Sequence, residues 1–169
     1  MIRNSTSRKY LAEFVYGATD GTITTFAIIA AVSGASLAPV IILVLGFSNV
    51  LADGFSMAAS NYLSEKSNDA VGGVNDNKHP VRTSFVTFVS FVVVGSVPLI
   101  PFVLLGNVEG INPFSVSIVA TALTFLVIGF IRGYVARERG IRTALETLFI
   151  GGIAAGIAYG AGAFLETLF

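Results

Sequence analysis

Val15-Tyr16-Gly17-Ala18-Thr19-Asp20-Gly21-Thr22-Ile23-Thr24-Thr25-Phe26 and Leu51-Ala52-Asp53-Gly54-Phe55-Ser56-Met57-Ala58-Ala59-Ser60-Asn61-Tyr62 are polar islands in one long apolar hairpin. Each places a carboxylate inside a segment otherwise greasy enough to cross a bilayer. A charge at that depth costs roughly 2.5–3.5 kcal/mol on insertion scales, so an intramembrane acid marks a functional site by default. The hairpin decides the fold, and the remaining sequence reads as a frame around it.

Five apolar segments are expected, at about 14–36, 38–63, 84–105, 113–135 and 144–165. Each reaches the ~20 residues that span ~30 Å of hydrocarbon at about 1.5 Å per residue. The expectation is an all-α polytopic membrane protein, with residues 1–169 as a single transmembrane domain and 64–83 as its one sizeable loop. Composition agrees. Of 169 residues 54% are hydrophobic and 12% charged, against about 25% charged in a soluble domain. Mean hydropathy is +0.81. The absence of cysteine excludes disulfides, zinc knuckles, iron–sulfur clusters and thiol catalysis. Ten basic residues balance ten acidic ones, which gives no reason to expect a nucleic-acid partner; membrane lipid is the expected surrounding. The basic start could also open a signal peptide cleaved near Ser33-Gly34-Ala35-Ser36, but that would discard the first polar island.

Basic residues set the expected orientation. Arg3, Arg8 and Lys9 precede the first segment, Lys66, Lys78 and Arg82 lie between the second and third, and Arg132, Arg137, Arg139 and Arg142 lie between the fourth and fifth. All ten fall on one side of a five-span chain, the cytoplasmic side by the positive-inside rule. The N-terminus is then cytoplasmic and the C-terminus outside or lumenal.

Other features have structural readings. Pro98 and Pro101 are expected to kink or end the third span. Gly152, Gly156 and Gly160, four apart, are expected to form a close helix-packing face. Glu146 and Glu166 read as interfacial, and Arg132 as snorkelling to the surface. The loop holds Glu65, Asp69, Asp76 and His79, the sole histidine; a solvated linker is preferred over a metal-collecting loop.

The constellation that could carry chemistry lies on the first two spans. Glu13, Gly17, Asp20 and Thr24 share a helical face. Asn49, Asp53, Met57 and Asn61 recur every four residues on the second span, beside Ser56, Ser60 and Ser64. Asp20 lies about 10 Å in from Glu13, and Asp53 about 15 Å from Leu63. In antiparallel spans the two acids reach comparable depth. Asp20, Asp53, Met57, Asn61, Glu13 and Asn49 are therefore the candidate metal-binding residues. Hard oxygens with one soft sulfur suit Fe²⁺ or Mn²⁺ better than Mg²⁺ or Ca²⁺. The alternatives are a helix break at each Asp-Gly and, for Met57, a gap-filling role.

The pattern Tyr16-Gly17-Ala18-Thr19-Asp20-Gly21, Ala52-Asp53-Gly54-Phe55-Ser56-Met57-Ala58-Ala59 and Tyr62-Leu63-Ser64 resembles the vacuolar iron transporter family, over nearly the whole chain. The resemblance implies a five-helix dimer with its metal path between the two first helices, exchanging Fe²⁺ or Mn²⁺ for protons. It implies metal contact by Asp20 and Met57. Two departures stand out. Plant-type members insert a glutamate-rich domain where this chain has residues 64–83, and many members have Gly-Glu-Tyr where this chain has Ser60-Asn61-Tyr62.

The expected function is a divalent-metal transporter that moves metal out of the cytoplasm by proton exchange and needs no resident cofactor. The membrane would be the cell membrane in a prokaryote or a vacuolar-type membrane in a eukaryote. The alternative is a non-transporting assembly partner or metal sensor. An enzyme is not expected, because no Ser–His or Cys–His pair is available. A homodimer built on the first span is expected, with Glu13 drawing cations to the cytoplasmic mouth.

Overall fold

A computed structural model describes residues 10–70, 78–106 and 108–168, and among them the only regular structure is helical. The helices are α1 (Leu11–Gly34), α2 (Pro39–Ala70), α3 (Pro80–Gly95), α4 (Ile100–Leu105), α5 (Pro113–Ala136) and α6 (Gly140–Glu166). A 3₁₀ turn, Val97–Leu99, joins α3 to α4. Five stretches are long and apolar enough to cross a membrane: Leu11–Gly34, Pro39–Asn68, Pro80–Leu105, Pro113–Ala136 and Gly140–Glu166. The chain is an all-α multi-pass integral membrane protein.

The helices overrun their expected ends mainly on the basic side. α2 continues past 63 to Ala70, α3 begins at Pro80 and α6 at Gly140. Polar residues such as Ser64 and Lys66 end the apolar stretch without ending the helix, because backbone hydrogen bonding continues in water. Most of the expected 64–83 loop is therefore helical at its two ends. Arg3, Arg8, Lys9 and Asp76 lie outside the described residues, as does the side chain of Asp69. Prolines open α2, α3 and α5, where a missing N–H costs nothing. Asn112 Oδ1 caps α5 by accepting from Phe114 N at 3.0 Å.

The two prolines of the third span act as expected. α3 stops at Gly95, and the chain resumes as α4 after the turn around Pro98. Ser117 of α5 donates to the Pro98 carbonyl at 2.7 Å. A backbone acceptor within the kinked stretch thus has a partner inside the membrane, as lipid requires.

α1 is the central helix, packing against α2, α3, α5 and α6 and most extensively against α3. Its sequence explains this. A Cβ at Gly17 would lie 2.5 Å from the Thr87 carbonyl, and one at Gly21 would lie 2.6 Å from the Phe91 carbonyl. Gly95 of α3 meets the Gly21 backbone in return. This is a small-xxx-small seam, in which missing side chains let backbones approach. Further close approaches join Gly34 of α1 to Tyr159 and Gly162 of α6 to Ala31.

The expected packing face on the fifth span is not used among the described residues. Gly152, Gly156 and Gly160 are exposed, with nothing within 4 Å of a Cβ placed there. Gly151 and Gly162 make the intramolecular contacts instead.

An apolar core of Phe26, Ile29, Val32, Ile42, Val50, Leu99 and Phe102 fills the half of the bundle near the α1–α2 turn. Asp20, Asp53, Met57 and Glu13 lie beyond it, toward the other end of the hairpin. Exposed Val44, Phe47, Leu51 and Phe55 on α2 present an apolar surface suited to lipid.

Candidate functional site

Both helices run unbroken through their Asp-Gly pairs, which removes the helix-break reading. The glycines serve packing. Phe91 of α3, fully buried, meets Gly21 of α1 through its carbonyl and Cα. Its ring edge lies 3.1 Å from where a Gly54 Cβ on α2 would be. One phenylalanine thus spaces both helices at a single level, and the residue preceding each glycine is the acid. Asp20 and Asp53 are half-buried, each one residue before a glycine packed on Phe91. Counting out from the turn between Gly34 and Pro39 gives the same level for both.

Asp20 also lines an open groove of about 560 Å³. Tyr16, Thr19 and Ile23 of α1 share it with Arg132 of α5 and Thr147 of α6. Tyr16 is 58% exposed, so this stretch of α1 reaches the surface of the bundle. The acid pair therefore lies between α2 on one side and an open groove on the other.

The other candidates distribute as follows. Met57 is buried, one turn from Asp53. Asn49 and Asn61 are partly buried; Asn49 Nδ2 and Asn61 Oδ1 are buried atoms with no hydrogen-bond partner among the described residues. Thr19 Oγ1 and Thr25 Oγ1 on α1 are in the same condition. Glu13 is not an open carboxylate at a mouth: it is 5% exposed, and Lys78 donates to its Oε1 at 2.9 Å. Its Oε2 is buried without a partner. Among the described residues no group of three or more His, Asp or Glu side chains could hold a metal. The carboxylates at the candidate site are therefore a pair, and any further ligands must be amide, hydroxyl or thioether groups, or come from a second copy.

Charges elsewhere are structural. Arg132 does not simply snorkel: its guanidinium donates to Glu146 Oε2 at 2.9 Å, tying α5 to α6. Arg142 donates to Glu146 Oε1 at 3.1 Å. Glu166 is exposed at the end of α6. His79 is exposed just ahead of α3, where its carbonyl accepts from Arg82 and Thr83.

Sequence reasoning missed Phe91 as the spacer and Lys78 as the partner of Glu13. The first left a signal, since Gly17-x-x-x-Gly21 is itself a packing pattern. The second left none, because 65 residues separate the partners.

Comparison with known proteins agrees with this architecture. A family model described as the VIT family matches residues 11–74 and 68–163, two segments that overlap over 68–74. Vacuolar iron transporter 1 of Arabidopsis thaliana is 22% identical over 218 aligned residues, covering 93% of this chain and 86% of that protein. Vacuolar iron transporter 1 of Oryza sativa subsp. japonica is 23% identical, covering 98% and 89%. A vacuolar iron transporter of Toxoplasma gondii is 24% identical, covering 96% and 76%. With the model matched across nearly all of its helical length, the chain belongs to the VIT family.

Proposed function

We propose that this protein carries a divalent transition metal, Fe²⁺ or Mn²⁺, across its membrane in exchange for protons, through the Asp20–Asp53 pair. Membership of the family and relatives named as vacuolar iron transporters support metal transport as the activity. The observation that supports the mechanism is that two acids stand on adjacent spanning helices, each one residue before a glycine packed on Phe91.

The chemistry follows from that placing. Two like charges at one level inside a membrane repel, and a divalent cation between them removes the repulsion. The ion needs both acids ionised, so its binding releases whatever protons the empty pair holds. Release of metal lets the pair take up protons again. If the pair is reached alternately from each side, metal and protons move in opposite directions. Met57 contributes a polarizable sulfur that favours Fe²⁺ or Mn²⁺ over hard ions. A pair of acids without a third carboxylate suits a carrier, which must release its cargo.

A C2 homodimer completes the site. Its expected seat is the exposed Tyr16 stretch of α1, which would place the Asp20 groove of each copy at the two-fold axis. The basic connections face the cytoplasm in this reading, so transport empties the cytoplasm of metal.

The test is Mn²⁺ uptake by proteoliposomes with a pH dye inside. Metal entry with opposing proton movement is expected. Metal entry without proton movement overturns the exchange, and no entry into liposomes of folded protein leaves the sensor or assembly-partner reading.

A further inference from the structure

Lys78 and Glu13 form an ion pair placed where the transport reading needs an entrance. Glu13 opens α1, and Lys78 sits two residues ahead of α3. Lys78 Nζ is 2.9 Å from Glu13 Oε1, with side chains only 17% and 6% exposed. Both charges are therefore largely withdrawn from water, where an uncompensated carboxylate would be strongly unfavourable. The pair is nevertheless incomplete, because Glu13 Oε2 is buried with no partner.

A second acceptor lies at the same level. Counting equal steps from the α1–α2 turn puts position 13 opposite position 60. Asn61 adjoins that point, and its Oδ1 is likewise buried with no partner. Two acceptor oxygens cannot satisfy one another. A cation brought between the two helices at this level would satisfy both, and oxygen ligands of this type, a carboxylate with an amide carbonyl, are what divalent ions take. Lys78 supplies one positive charge to Glu13 Oε1 and leaves Oε2 unmet.

We propose that the Lys78 ammonium is a tethered stand-in for the transported ion. It holds Glu13 in the empty protein, and an incoming divalent cation must displace it to bind Glu13 and Asn61. The proposal rests on the transport reading of the hairpin and adds a competition at its entrance. Competition of this kind discriminates by valence. A monovalent ion brings no more charge than the ammonium and lacks its tether, so it does not displace it. A divalent ion brings twice the charge. Once metal moves on toward Asp20, Lys78 returns to Glu13 and re-neutralises it.

Mn²⁺ binding to the detergent-solubilised full chain, read from the EPR signal of free Mn²⁺, tests this directly. Lys78→Met removes the competitor, and binding is expected to tighten by about tenfold, the worth of one charge-assisted hydrogen bond. The double variant Glu13→Gln with Lys78→Met removes both charges and is expected to lose that gain. Lys78→Gln keeps a donor for Glu13 without the charge and gives the same comparison if Lys78→Met fails to fold. A purely structural pair would lower the melting temperature in Lys78→Met with no tightening of Mn²⁺ binding, and that result overturns the proposal. The two readings fail separately. Wild-type liposomes that take up no Mn²⁺ refute transport, whereas tighter binding in Lys78→Met would still support the competition. Normal uptake with unchanged binding in Lys78→Met refutes the competition alone.

Discussion

Gly21→Ala tests whether the α1–α3 seam is what holds Asp20 at the level of Asp53. A Cβ at position 21 would lie 2.6 Å from the Phe91 carbonyl oxygen and 3.1 Å from Phe91 Cα. Backbone atoms cannot swing aside. The helices must part by about 0.8 Å to reach the 3.4 Å at which ordinary contact begins. Overpacking of this kind costs about 1–3 kcal/mol, offset by the ~1 kcal/mol by which Ala exceeds Gly in a helix interior. A net loss of about 1 kcal/mol lowers the melting temperature by roughly 2–4 °C in a chain of this size. Transport should suffer more. Phe91 also bears on Gly54, so a shift at Gly21 alters the spacing of both acids. A misplacement near 1 Å can cost about a hundredfold in a geometry-dependent step.

The assay pairs thermal melting in detergent with Mn²⁺ uptake in liposomes. Gly156→Ala is the control, since nothing lies within 4 Å of a Cβ there. It is expected to gain up to about 1 kcal/mol of stability with uptake unchanged. Wild-type uptake in Gly21→Ala, or an equal loss in Gly156→Ala, refutes the reasoning.

Asp20→Asn is expected to abolish Mn²⁺ uptake and Asp53→Asn to abolish or severely impair it, both with retained melting temperature, as measured in liposomes. Met57→Leu keeps the buried volume and loses the sulfur; competition between Mn²⁺ and Mg²⁺ in the same uptake assay is expected to shift toward the harder ion. Single cysteines at Ala12 and Tyr16, both exposed on α1, are expected to cross-link into dimers, and cross-links confined to α6 would move the interface there. Tags at the N-terminus and within 71–77 are expected to be protected in right-side-out vesicles and a C-terminal tag to be accessible; protection of the C-terminal tag overturns the orientation.

The spans were legible because a bilayer imposes its thickness on any sequence that crosses it, and Pro98 and Pro101 announced the break before α4. The shared level of Asp20 and Asp53 was legible because a short turn fixes the register of two straight helices. Helix ends were less so: polarity after Leu63 marks where lipid stops, and α2 runs on to Ala70. Small-residue stripes showed that close packing was possible without showing against what. Gly17 and Gly21 found α3, whereas Gly152, Gly156 and Gly160 found no partner among the described residues. Nothing distinguished Phe91 among fourteen phenylalanines, because a spacer is defined by what it touches.

Hydrogen-bond satisfaction separates the frame from the hairpin more sharply than residue type does. The frame helices carry many buried hydroxyls, and they are tied: Thr87 to the Thr83 carbonyl, Ser90 to Val86, Ser117 to Pro98, Thr143 to Gly129 and Thr147 to Thr143. Two of these bonds cross between elements, so hydroxyls here act as interhelical glue. Among the described residues six buried side-chain atoms lack a partner in the protein, and five belong to α1 and α2; Thr121 of α5 is the exception. Within a membrane an unmet polar group costs several kcal/mol, and five of the six lie on the helix pair proposed above to carry the ion. The same hairpin carries Asp20 and Asp53 and, through Glu13, the contact with Lys78. Thr22 and Thr24 of α1 are tied within their own helix, to the Ala18 and Asp20 carbonyls, so the contrast lies in the five hairpin atoms left unmet among the described residues, on the two helices proposed to line the path for ions.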